Sequence, residues 1–249
     1  MFYALPRMLA MFSVLPMLNR QALPGVMRMG VSSAFAVFIV PSLIDESMNF
    51  SRSGGSAMVL VTKEAAIGFF IGFLIAIPLW AIDIVGAYID NQRGASIAAT
   101  INPLTGHDTS PLGELFSHAA IVVLLISGGL FFILEIIYKS YLLWPVFEML
   151  PHFNDQTAHV ILMQIDRLMW LAVILSAPVI FSMFLAEVGL GIVSRFVPQL
   201  QVFFLAMPIK SAIAMFVLSV YSAALFSYFK DEYLDVVPRL IDVFGSLFR

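Results

Sequence analysis

Lys63–Ser96 reads KEAAIGFFIGFLIAIPLWAIDIVGAYIDNQRGAS. Its apolar centre, Ala65–Ile89, exceeds the roughly 20 residues that a helix needs to cross a bilayer core. Apolar and polar residues do not alternate along it, so it reads as a helix and not as a barrel strand. Lys63 and Glu64 stand before it, Asp90 and Arg93 follow it, and Asp83 is the one carboxylate inside. Gly68 and Gly72 stand four apart, with Ala76 four further on, a spacing that lets a second helix approach closely. Pro78 removes a backbone donor and predicts a kink near Leu74.

Working outward, further apolar segments are Met1–Leu18 (interrupted by Pro6 and Arg7), Met29–Ile44, His118–Ile137, Leu168–Ser194 and Ser211–Phe229. An extra apolar piece, Val202–Ile209, lies between the last two, and Pro178 predicts a second kink. The connectors Asn49–Ser56, Asn91–Gly113 and Trp144–Thr157 are too short to separate soluble domains. Residues 1–249 therefore read as one all-α domain: a polytopic membrane-type protein with kinked or broken hydrophobic helices. Composition agrees, with 61% hydrophobic and only 12% charged residues, against about 25% charged in soluble domains. Mean hydropathy is +0.96.

A net charge of −3 without a Lys/Arg run argues against nucleic acid as a partner. The absence of cysteine excludes disulfides, Cys-ligated metal and thiol catalysis. Alternate connectors carry eight Lys/Arg on the side of both termini and five on the other, which points both ends to the cytoplasm by a narrow margin.

Several polar residues interrupt the apolar segments. Asp83 and Asp90 are seven apart, on one helix face, and Gly86, Asp90, Gly94 and Ala98 extend a stripe if the helix continues. Arg93 lies within helical reach of Asp90, with Gln92 beside it. Glu135 and Lys139 fit an interfacial ion pair near Tyr138, Tyr141 and Trp144. Glu187 breaks an apolar run two turns before Arg195, with Arg93 or Lys210 as a candidate partner. Asp83, Asp90, Gln92, Arg93, Glu187, Arg195 and Lys210 are thus candidates for contacts within the helices or between subunits. Gly68, Gly72 and Gly86 are candidate packing positions.

Signs of catalysis are missing from the sequence. None of His107, His118, His152 and His159 belongs to HExxH, and GxSxG and phosphate-loop patterns do not occur. His107–Asp108–Thr109–Ser110 gathers triad letters in sequence, whereas a triad needs convergence in space. No catalytic residue, metal or cofactor is expected. A self-sufficient secondary transporter is the alternative function: Pro78 and Pro178 suggest broken helices, although their flanking sequences do not repeat.

Taken in order, several stretches resemble one family. They are LPGVMRMG (Leu23–Gly30), KEAAIGFFIGFLIAIPLWAIDIVGAYIDNQRGAS (Lys63–Ser96), SPLGELF (Ser110–Phe116), Gly128–Gly129, KSYLLWP (Lys139–Pro145) and SAPVIFSMFLAEVGLGIVSRFVPQLQVFFLAMPIK (Ser176–Lys210). The set is similar to the SctT export-apparatus family of type III secretion systems (SpaR, YscT, HrcT), related to flagellar FliR. QRGA and SYLLWP lean toward the injectisome branch. Family members have more residues ahead of the Arg corresponding to Arg7, which leaves either a short first helix here or a different start codon. The resemblance implies a subunit of a helical, pore-forming export gate, assembled with SctR-like and SctS-like subunits. An SctU-like switch protein, an SctV-like ring and needle or inner-rod proteins would lie nearby, and unfolded proteins would pass through. It implies the bacterial inner membrane as location, with the complex raised toward the periplasm.

The resemblance also implies that the segment after Arg93, within 91–113, is a pore plug. Its residues are Gly94, Ala95, Ser96, Ile97, Ala98, Ala99, Thr100, Ile101, Asn102, Pro103, Leu104, Thr105 and Gly106. Small side chains suit such a role, since they fill space closely without locking in place. Asn102–Pro103 and Thr105–Gly106 favour turns.

Overall fold

The structure is a computed structural model that describes residues 3–18, 23–42, 54–95, 110–147, 155–197 and 202–247. The chain is all-α, and no strand occurs among the described residues. Among the described residues its main helices are α1 (Leu5–Val14), α2 (Gly25–Val37), α3 (Gly54–Arg93), α4 (Pro111–Ile126), α5 (Gly129–Leu143), α6 (Asp155–Phe196) and α7 (Val202–Leu247). A 3-10 turn at Pro16–Leu18 follows α1.

Three described stretches are long and apolar enough to cross a membrane: 57–93, 162–196 and 204–235. The sequence had suggested six spans, and three of those readings change. Among the described residues the first two segments carry helices of 10 and 13 residues, shorter than a bilayer core requires. His118–Ile137 is not one helix, because the chain bends by 77° between α4 and α5, which together make at most one broken span. The bend occurs at Gly128, whose φ of +78° places it in the left-handed region that side chains other than glycine's disfavour. Gly129 then starts α5 against Leu124, where a Cβ would come within 2.5 Å of the Leu124 side chain. The separate piece Val202–Ile209 is also corrected. Residues 202–247 form one helix that runs through Pro208.

The two prolines expected to kink helices lie inside continuous ones, Pro78 in the 40 residues of α3 and Pro178 in the 42 of α6. Pro6 falls in the first turn of α1, where its missing N–H costs nothing. Gly54–Ser56, read from sequence as connector, begin α3. Burial separates the spans. In the most apolar window of each, 67% of α3 is buried within the chain, against 39% of α6 and 22% of α7.

The chain divides into two compact units. The first comprises residues 1–77, 124–165 and 233–249. Met8, Met11 and Phe12 of α1, Ile71, Leu74 and Ile75 of α3, and Ile133, Ile136 and Ile137 of α5 are buried in it. Phe12 meets Phe35 of α2 edge-on at 6.1 Å. Gly68 and Gly72 face α1. A Cβ at Gly68 would run into the Arg7 carbonyl, and one at Gly72 would lie 2.8 Å from the Met11 carbonyl oxygen. The small-residue step thus lets two backbones meet inside the chain.

The second unit comprises residues 78–123 and 166–232. Gly86 of α3 lies directly against the backbone of Leu112 and Gly113 in α4, leaving no room for a Cβ. Phe116 packs edge-on against Phe226 at 5.8 Å. Arg167 of α6 pairs with Glu232 of α7.

Candidate functional site

The polar residue best placed to act in the second unit is Asp90. It lies one turn from the end of α3 and is 3% exposed. A carboxylate this deep needs donors, and here they come from two directions. From its own helix, Arg93 donates Nε to Oδ1 at 2.7 Å and brings Nη2 to 2.6 Å of the same oxygen. From the other side of the 94–109 segment, the Ser110 hydroxyl donates to Oδ2 at 2.5 Å and the Leu112 N–H at 2.9 Å.

Ser110 does two jobs at once. It stands just before α4 and its Oγ accepts from the Gly113 N–H at 2.9 Å, satisfying a donor that the first turn leaves free. Pro111 occupies the first helical position, where its fixed φ is favourable. Asp90 adds a negative charge at the same positive helix end. The sequence SPLG therefore builds a helix start, and α3 supplies the anion that holds it.

The segment read as 91–113 narrows from both ends. Asn91–Arg93 belong to α3 and Pro111–Gly113 to α4. Gly94, with φ +86°, ends α3 in the left-handed conformation, its N–H donating to the Asn91 carbonyl at 3.2 Å. α3 itself stops at Arg93, Ala95 is helical again after Gly94, and Ala98, the last position of the stripe, lies outside the described residues. Of the proposed plug residues, Gly94 and Ala95 are described. Ser96, Ile97, Ala98, Ala99, Thr100, Ile101, Asn102, Pro103, Leu104, Thr105 and Gly106 lie outside the described residues.

Other singled-out residues are placed as follows. Asp83 is exposed, on the Asp90 face one turn before Gly86, and a Cβ on Gly113 would meet its Oδ1 at 2.8 Å. Gln92 is half-buried. Glu187 pairs with Lys210 at 3.2 Å, with Glu187 51% exposed. Arg195 is exposed near the end of α6. Glu135 and Lys139 pair at 2.7 Å on the surface. Among the described residues no group of three or more His, Cys, Asp or Glu side chains is placed to hold a metal.

Sequence reasoning missed a second polar centre, in the first unit. Arg7 and Glu64 are both fully buried. Arg7 donates Nε and Nη2 to the two Glu64 oxygens at 2.7 and 2.9 Å, a bidentate pair. Its remaining donors reach Ser140 Oγ at 3.1 Å and the Trp144 carbonyl at 3.0 Å, and its guanidinium stacks 4.1 Å from the Tyr141 ring centre. Lys63 adds a 2.9 Å contact to Glu64 and donates to the Pro145 and Val146 carbonyls, just beyond α5, at 3.2 and 2.7 Å. The network joins α1, α3 and α5. The available signal was charge: Arg7 and Glu64 each stand beside an apolar run, and each needs a partner of opposite sign.

Residues 1–236 match the family described as bacterial export proteins, family 1. The chain is 38% identical to Yop proteins translocation protein T of Yersinia pestis over 243 residues, 96% of this chain and 93% of the relative. It is 35% identical to surface presentation of antigens protein SpaR of Salmonella typhimurium over 217 residues, 86% of this chain and 80% of the relative. It is 33% identical to flagellar biosynthetic protein FliR of Bacillus subtilis over 243 residues, 96% of this chain and 93% of the relative.

Proposed function

The chain belongs to bacterial export protein family 1, and from that premise we propose that it is a pore-forming and gating subunit of a type III secretion export gate. Its membership and its apolar helices make it a membrane-embedded export-apparatus protein. Beyond that, we assign it a place beside SctR-like and SctS-like subunits in the bacterial inner membrane, raised toward the periplasm on assembly. An SctU-like switch protein, an SctV-like ring and needle or inner-rod proteins complete its surroundings. Its cargo is unfolded protein in transit.

One observation carries this reading: the match to secretion and flagellar relatives runs through nearly the whole chain, including the segment after Arg93. Exposed apolar side chains support a subunit role. Phe181, Phe184, Leu185, Phe204, Phe216 and Val220 of α6 and α7 all lie open to the surroundings, as expected of helices that meet lipid or other helices.

In this reading residues 94–106 are the plug. A seal against ions has to fill the pore, and it also has to yield to a passing chain. Glycine, alanine and serine fill space without long side chains that would grip cargo. The work is steric, so this chain supplies no bond-making group, and the driving energy comes from partner components. Deleting Ala95–Asn102 tests the reading. The assembled complex should form in normal yield while the membrane becomes leaky to small ions. An assembled complex with unchanged conductance would remove the plug.

A further inference from the structure

We propose that the start of α2, with Arg28 one turn inside it, binds the phosphate of an anionic membrane phospholipid.

The first unit buries two arginines and satisfies only one of them within the described residues. Arg7 finds Glu64, Ser140 and the Trp144 carbonyl. Arg28 is 9% exposed, yet among the described residues its Nε has no hydrogen-bond partner. No carboxylate among them pairs with its guanidinium. Ser32, one turn on and also buried, does not help, because its hydroxyl donates to the Arg28 carbonyl at 2.8 Å. A cation taken out of water without an anion is costly, so this position calls for a negative ligand.

The backbone beside it calls for the same. α2 begins after Pro24 with no side-chain cap and no acidic residue in its first turn. The Arg28 N–H donates to the Pro24 carbonyl at 3.0 Å. The N–H groups of Gly25, Val26 and Met27 come before it and have no carbonyl to meet within the helix. They form the positive end of the helix dipole, a setting that favours anions. Helical side chains lean back over the preceding turn, which directs Arg28 toward these three groups. A guanidinium fork and backbone donors together match the several acceptor oxygens of a phosphate.

The surroundings select a lipid as the source. Val26, Met27 and Met29 are open around this cationic turn, and Val37 and Phe38 continue the open apolar surface at the far end of α2. Arg28 is the one charged residue in the helix. A free anion has no use for the apolar surface, whereas acyl chains do. In a membrane-embedded chain, an arginine near the end of an apolar helix is drawn to the headgroup level, where lipid phosphates lie.

The test uses the full-length chain assembled with its co-expressed partners, delipidated in mild detergent, with phosphatidylglycerol as the probe. Native mass spectrometry should show the parent holding one more phosphatidylglycerol than Arg28→Met, and binding it about tenfold more tightly, the scale of one charge-assisted contact. The lipid should raise the melting temperature of the parent and not that of Arg28→Met. Without lipid, Arg28→Met should melt no lower than the parent, because it removes a cation that lacks its anion. Should Arg28→Met fail to fold, Met27→Glu replaces it: this exposed first-turn position then supplies the anion from within, and the response to phosphatidylglycerol should disappear. Equal lipid binding by the parent and a folded variant overturns the site. A parent stabilised as much by inorganic phosphate as by phosphatidylglycerol overturns the lipid as its source. A folded Arg28→Met that melts below the parent without lipid, or sheds a subunit that the parent keeps, assigns Arg28 to a partner's carboxylate and overturns the proposal as well.

Discussion

Two carboxylates are buried by the same physics with different consequences. Glu64 is bound by Arg7 and Lys63 in the interior of the first unit, and Asp90 by Arg93, Ser110 and Leu112 beside a chain segment of proposed function. Removing one partner of a buried pair leaves the other charge stranded, which typically costs about 3–5 kcal/mol. Arg7→Leu should therefore lower the thermal stability of the detergent-solubilised protein sharply, with Lys63 offsetting part of the loss. The double variant Arg7→Met/Glu64→Leu should cost less than the sum of its single changes, and a thermal double-mutant cycle measures the difference. The Glu187–Lys210 pair offers the contrast. Glu187 is half exposed, so Glu187→Gln should change stability by less than about 1 kcal/mol. These roles differ in how far they could be read in advance. Arg93 sits three residues from Asp90 in one helix, so that contact follows from spacing. Ser110 is 20 residues away and Glu64 is 57 from Arg7, and only the folded chain brings them together.

Close approach between helices depends on glycine at particular points along each element. Gly86→Ala should destabilise the protein by about 1–3 kcal/mol, because the atoms it would strike are backbone and cannot rotate away. Gly189→Ala in α6 should be neutral or stabilising by up to about 1 kcal/mol, since nothing lies within 4 Å of its added Cβ. Comparing the melting temperatures of these two variants checks the reading of α3 against that of α6. Gly128→Ala should cost about 1–2 kcal/mol through its positive φ. The long run of α3 was legible from its apolar length and flanking charges. The break between α4 and α5 was not, although Gly128–Gly129 stood in plain view, because unbroken hydropathy across His118–Ile137 outweighed two small residues. Hydropathy reports which solvent a segment prefers and carries little information on whether the helix turns. The piece Val202–Ile209 erred in the opposite direction: it reads as separate from Ser211–Phe229, yet α7 runs through both.

At the scale of the whole molecule, the open apolar faces of α6 and α7 matter more than any one residue. With 39% and 22% of their most apolar windows buried, these helices leave side chains such as Phe181 and Phe216 largely exposed. The family relationship was legible because its motifs recur in order from Leu23 to Lys210. The span count was less legible, since among the described residues two apolar segments carry helices of only 10 and 13 residues. A protein built this way is expected to function inside an assembly. Native mass spectrometry of the chain, extracted in mild detergent after co-expression with its operon neighbours, tests that most directly. The export-gate account predicts a defined complex in which this chain is bound to several copies of other small helical membrane proteins. A monomer or homodimer without partners would contradict it.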